Sequence, residues 1–140
     1  MRQNKPSVGF EFPPYVVGTV DAEKMKTMAA LLQDPNPIHW DVEAVNSLGL
    51  GSRPINQGPN NMAYVANALI SWSGGISNFR GLKVRFLDNV YAGDHLTVIG
   101  SVTDVDHVDD GDLATCEVQL VRGTVDSGDI VMAGQAVVLL

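Results

Sequence analysis

The spacing of apolar residues changes character along this chain. In the first half they recur three or four positions apart, whereas from residue 78 onward they alternate with polar ones. The stretch "EFPPYVVGTV" (residues 11–20) opens with a Pro-Pro turn and becomes a β-branched run, which predicts a strand. Asp21 then stands as an N-cap for "AEKMKTMAALLQ", where Met25, Met28, Ala29 and Leu32 fall at helical spacing. Pro35 and Pro37 end that helix, because the residue before a proline is pushed out of the α region. A short helix from about Asp41 to Leu48 follows, stopping in the glycines of "GLGSRP". In "GPNNMAYVANALISWSGG", Gly58 is a possible N-cap and Pro59 a first helical residue, where a missing N–H costs nothing. Met62, Ala63, Val65, Ala66, Leu69 and Ile70 make this helix apolar on more than one face, so it belongs inside something.

The second half reads as strands. "LKVRFLDNV" sets Leu82, Val84 and Phe86 against Lys83 and Arg85, and "HLTVIGSVTDV" puts Leu96, Val98 and Val102 on one side. "LATCEVQLV" does the same with Ala114, Cys116, Val118 and Leu120, and "IVMAGQAVVLL" closes the chain as a nearly continuous apolar strand. The intervening "NVYAGD", "DVDHVDDGD" and "VDSGD" carry the Gly and Asp of turns. The layout is α+β, one domain over residues 1–140, with an antiparallel sheet wrapping a buried helix. The acidic turn is not a calcium loop. Asp106, Asp110, Gly111 and Glu117 match such a template, but Val108 falls on a ligand position and the following residues alternate as a strand.

Composition then removes several function classes. A net charge of −7 argues against a nucleic-acid partner, since phosphates need a basic face. The nine basic residues do include one cluster, Arg80, Lys83 and Arg85. Cys116 is the single cysteine, so neither a disulfide framework nor a thiolate metal cluster can form within the chain, and a reducing, cytoplasmic setting is expected. "MRQNKPSVGFEFPPY" lacks the apolar run of a signal peptide, and no run of 18 apolar residues suggests a membrane span.

Chemistry concentrates in "DPNPIHWD". Asp34 and Asn36 each precede a proline and can close Asx turns on their own backbone. Alternatively, the prolines fix Asp34 and His39 so that both reach one small molecule, as a general acid/base pair sharing a water. A metal held by His39 and Asp41 is a third option, but no second histidine or cysteine lies nearby to complete it. Downstream, Gly58 offers a backbone N–H at the positive end of a helix, suited to an oxygen that gains negative charge; Pro59 removes the next donor. A plain tight turn is the alternative there.

These residues resemble a known family. "DPNPIHWD" is similar to the D-x-N-P-x-H signature of MaoC-like, (R)-specific enoyl-CoA hydratases and related hydroxyacyl-thioester dehydratases, which have the hot-dog fold. "VDAEKMKTMAALLQ" resembles the helix that leads into that signature, "INQGPNNMAYVANAL" the I-A-H-G motif and central helix, and "LKVRFLDNVYAGDHLTVIGSV" the strands around a P-V-x-x-G-D turn. Asn89 stands where that turn usually has proline, and Gln57 where the second motif has histidine.

The resemblance implies roles. Asp34 would activate the water that adds to C3 of a trans-2-enoyl thioester, His39 would bind the same water and share the proton transfer, and Asn36 would help position them. Gly58 would donate to the thioester carbonyl, and the Gln57 amide could bond substrate or the pair's partners. Trp40, Met62, Ala66, Leu69 and Trp72 are candidates for the acyl pocket or for plain core, and Arg80, Lys83 and Arg85 for the phosphates of coenzyme A or a carrier protein's phosphopantetheine. The resemblance further implies syn addition, an R product, a substrate that carries its own thioester arm with no other cofactor or metal, and a homodimer or a heterodimer with another hot-dog chain. A hot-dog thioesterase, or a subunit inactive without its partner, are the rival functions.

Overall fold

The computed structural model describes residues 6–140; residues 1–5 of the N-terminal stretch read above lie outside them. Strand β1 (Tyr15–Thr19) precedes helix α1 (Ala22–Leu32), a 3-10 turn (Pro37–His39), helix α2 (Val42–Ser47), helix α3 (Gly58–Ser73) and a second 3-10 turn (Ile76–Asn78). Strands β2 (Phe79–Phe86), β3 (His95–Val108), β4 (Gly111–Arg122) and β5 (Asp129–Leu139) complete the chain. All pairings are antiparallel, in the order β1-β3-β4-β5-β2. The β3–β4 hairpin turns at Asp109 and Asp110, so the acidic stretch is a hairpin tip.

Period-two patterning set the core face. Leu96, Val98 and Val102 of β3, Ala114, Cys116, Val118 and Leu120 of β4, and Met132, Ala136 and Val138 of β5 are all buried, packed with Val65, Ala68 and Leu69 of α3. The sheet thus curls around α3, a hot-dog fold. Met25 of α1 and Phe12 join the same cluster, and Trp72 packs tilted against the Phe12 ring with centroids 5.2 Å apart. Gly100 makes room for that ring: a Cβ there would lie 2.5 Å from Phe12 Cζ and 2.3 Å from the Glu117 carbonyl.

Three local expectations shift. Leu32 does not belong to the buried stripe of α1 but is 44% exposed, because the chain turns away there. That turn is made by Gln33, whose φ of 51° and ψ of 39° place it in the left-handed region, so α1 stops one residue before the prolines act. Helix α3 begins one residue early, with Gln57 as N-cap, Gly58 as its first residue and Pro59 second.

Candidate active site

The left-handed Gln33 lets the Asp34 N–H fold back onto the Ala29 carbonyl at 3.0 Å, which fixes where the aspartate leaves the helix. Asp34 Oδ1 accepts from the Asn36 N–H (3.0 Å), and Asn36 Oδ1 in turn caps the 3-10 turn by accepting from the Ile38 N–H (3.3 Å). The Asx turn and the proposed pair therefore do not compete. One oxygen of Asp34 closes the turn, and the other, Oδ2, lies 3.2 Å from His39 Nε2.

His39 is 8% exposed, and its Nδ1 sits 2.6 Å from the Ile55 carbonyl. A carbonyl can only accept, so Nδ1 carries the proton and Nε2 is the nitrogen left to exchange one with Asp34. The Asp34 side chain stays one-third exposed, so a small molecule can reach the pair. Beside it lies a shallow depression of about 390 Å³ lined by Ala29, Ala30, Gln33, Pro35 and Trp40, with Lys26 at its rim.

Residue Ile55 links this pair to the start of α3. Its N–H donates to the Ile38 carbonyl (2.9 Å) while its own carbonyl holds His39, and Gly58 follows three residues later, a reach of at most ~10 Å. The loop after β2 clamps the same segment: Asn56 N–H donates to Val90 O (2.7 Å), and Arg53 Nη1 reaches both Ala92 O (2.9 Å) and buried Asp94 Oδ1 (2.8 Å). At Asn89 the backbone N–H donates to Asp88 Oδ1 (2.8 Å), a bond that the proline usual in the resembling motif could not make.

The Gly58 N–H has no acceptor among the described residues, and Pro59 has no N–H to offer. The Asn60 and Asn61 N–H groups both turn to the Gln57 carbonyl (3.0 and 3.3 Å), leaving Gly58 as the free donor of this helix end. A Cβ at position 58 would stand 3.2 Å from Cζ of Phe86, a half-exposed ring at the end of β2.

Other candidates lie elsewhere. Gln57 is 1% exposed and bonded on both ends of its amide within the protein, so it does not face a substrate; burial at the base of α3 consumes it. Leu69 is wholly buried in the core, and Met62 and Trp72 pack against that core, so they fill it rather than line the depression; Ala66 is half-buried on α3. Trp40 does border the depression. Lys83 and Arg85 point to the sheet face opposite Leu82 and Val84, beside Glu117 and Gln119, and Arg80 Nη1 bonds the Ser77 carbonyl. The alternation of β2 puts Lys83 and Arg85 on the face away from the core, while Arg80 sits at the register shift between Phe79 and Gly81. No cluster of three metal-ligating side chains occurs among the described residues.

Sequence reasoning missed a set of buried amides, Asn56, Gln57, Asn60 and Asn61, joined to Tyr64. The available signal was four amides within six positions at the start of a helix otherwise apolar on several faces.

Known proteins place the chain. It is similar to the (R)-hydratase from A. caviae involved in PHA biosynthesis, at 24% identity over 99% of both chains and a TM-score of 0.81. The R-hydratase PhaJ1 from Pseudomonas aeruginosa is similar at 21% identity over 95% of this chain and 81% of that one, TM-score 0.76. The HadBC (3R-hydroxyacyl-ACP dehydratase) complex from Mycobacterium tuberculosis matches at 16% identity over 91% and 95%, TM-score 0.70. No curated protein matches the sequence significantly. The family model of the MaoC like domain matches residues 5–123, and the chain belongs to the MaoC-like dehydratase family.

Proposed function

We propose that this protein adds water to trans-2-enoyl thioesters with R stereochemistry, or runs the reverse dehydration of 3-hydroxyacyl thioesters. The observation that carries the reading is the His39 Nε2–Asp34 Oδ2 contact of 3.2 Å, reached by solvent and linked through Ile55 to an unused N–H at Gly58. Water binds between Oδ2 and Nε2. As its oxygen bonds to C3, the pair takes one water proton and returns a proton to C2. The enolate oxygen that forms meanwhile at the thioester carbonyl is held by the Gly58 N–H at the positive end of α3. Locking Nδ1 to Ile55 leaves one nitrogen and one carboxylate oxygen to trade that proton.

The thioester arm arrives as coenzyme A or phosphopantetheine and needs no further cofactor. We place the working form as a pair of hot-dog chains, of one kind or two; the similarity to the HadBC complex supports the second arrangement. Incubation with crotonyl-CoA tests the reaction. Loss of the enoyl absorbance without free thiol supports hydration, whereas thiol release marks a thioesterase and overturns it.

A further inference from the structure

The amide of Gln57 ties together the two halves of the site. Its Nε2 donates to the Met25 carbonyl of α1 at 2.8 Å, and its Oε1 accepts from Asn60 Nδ2 at 3.0 Å. Asn60 Nδ2 also donates to Asn56 Oδ1 (3.0 Å), and Asn56 Nδ2 donates to Asn61 Oδ1 (2.9 Å) and Tyr64 Oη (3.2 Å). Since the Met25 carbonyl can only accept, it fixes which end of Gln57 faces it, and through that the orientation of Asn60 and Asn56. The bonds run outward from Asn60 in two directions, to Met25 through Gln57 and to Asn61 and Tyr64 through Asn56, with the four amides buried.

Its two ends matter. Met25 lies on the helix whose next turn, at Ala29, holds the Asp34 N–H. The Gln57 carbonyl, pinned by Asn60 and Asn61, shares one peptide plane with the Gly58 N–H, so whatever fixes that carbonyl aims the donor. We propose that Gln57 is a positioning residue, holding the Gly58 N–H in register with the α1 exit that carries Asp34. This rests on the proposed hydration. An amide at this place does not titrate, so the register stays constant across the pH range in which a histidine would break it.

Gln57→Met keeps the bulk and removes both bonds. The expected result is a kcat ~30- to 100-fold lower, as for a small misplacement of reacting groups, with KM within about threefold of wild type. Gln57→His restores a donor and an acceptor while neutral. Its turnover should return toward wild type at pH 8 and fall as pH drops through the imidazole range, since imidazolium cannot accept from Asn60; the wild-type profile lacks that loss. Unchanged kcat in folded Gln57→Met, or a Gln57→His profile that superimposes on wild type, overturns the proposal. If Gln57→Met does not fold, the Gln57→His profile decides. If wild type itself does not hydrate crotonyl-CoA, the reaction is wrong, and NMR judges the positioning separately. Gln57→His, compared between pH 8 and pH 5.5, should shift the Gly58 amide resonance beyond any wild-type shift. Equal shifts overturn the proposal.

Discussion

At Asp34 the two carboxylate oxygens do different work, one closing a turn and the other meeting His39. Replacing Asp34 with Asn keeps the turn's acceptor yet removes the base, so Asp34→Asn should fold normally and lose at least ~100-fold in turnover. His39→Ala should lose as much; near-normal crotonyl-CoA hydration by either variant removes the mechanism. A second carboxylate makes a pH-dependent contribution of another kind. The Arg122 guanidinium, then the Asn89 N–H, hold Asp88 below its ordinary value of 3.8. A depressed carboxylate stabilises the fold above its unfolded value, and the contribution is lost as pH falls through the lower folded value. Asp88 is half-exposed, so solvent screening keeps the effect under about 1 kcal/mol. Urea midpoints of wild type and Asp88→Asn should therefore differ slightly at pH 7 and converge as pH falls below the ordinary value of 3.8 and through the lower folded one.

At the scale of elements, the exit of α1 was only partly legible. The prolines announced an end, and Asp21 and Asp41 announced two starts that their side chains confirm by accepting from Glu23 and Glu43 N–H groups. A left-handed Gln33 could not be read, because neither hydrophobic period nor proline placement encodes a glutamine with positive φ. Gln33→Gly should stabilise the protein by up to ~1 kcal/mol by relieving that conformation, read as a higher midpoint in urea. The strands were legible, since Leu96, Val98 and Val102 of β3 and Ala114, Cys116, Val118 and Leu120 of β4 share one buried face and a slip of one residue would expose them. The amide set was not. Its members look alike in sequence, and only burial beneath the loop after β2 turns them into a connected network of fixed orientation.

For the whole molecule, a mid-sized helix inside a curled sheet leaves the interior sealed. Burial pushes the Cys116 thiol, on the inner face of β4, up to about 11. It should resist a thiol reagent such as DTNB at pH 8 in the native protein and react at once in guanidinium; rapid native labelling would show that the sheet opens. The sheet's outer strands are β1 and β2, and β2 ends in half-exposed Phe86 against Gly58. The architecture followed from alternation and one over-apolar helix. The link needed the fold, because His39 is tied to the segment that leads into Gly58 through Ile55, which carries no chemistry of its own.

The fixed orientation of these amides also limits how this chain can drift. A change at position 57 to a residue that only donates turns a donor toward Asn60 Nδ2, and a compensating change at 60 then reaches Asn56. Substitutions here are epistatic by geometry. Descendants of this sequence can leave the arrangement by changing several positions together, and effects of single replacements at 56, 57 and 60 should not sum.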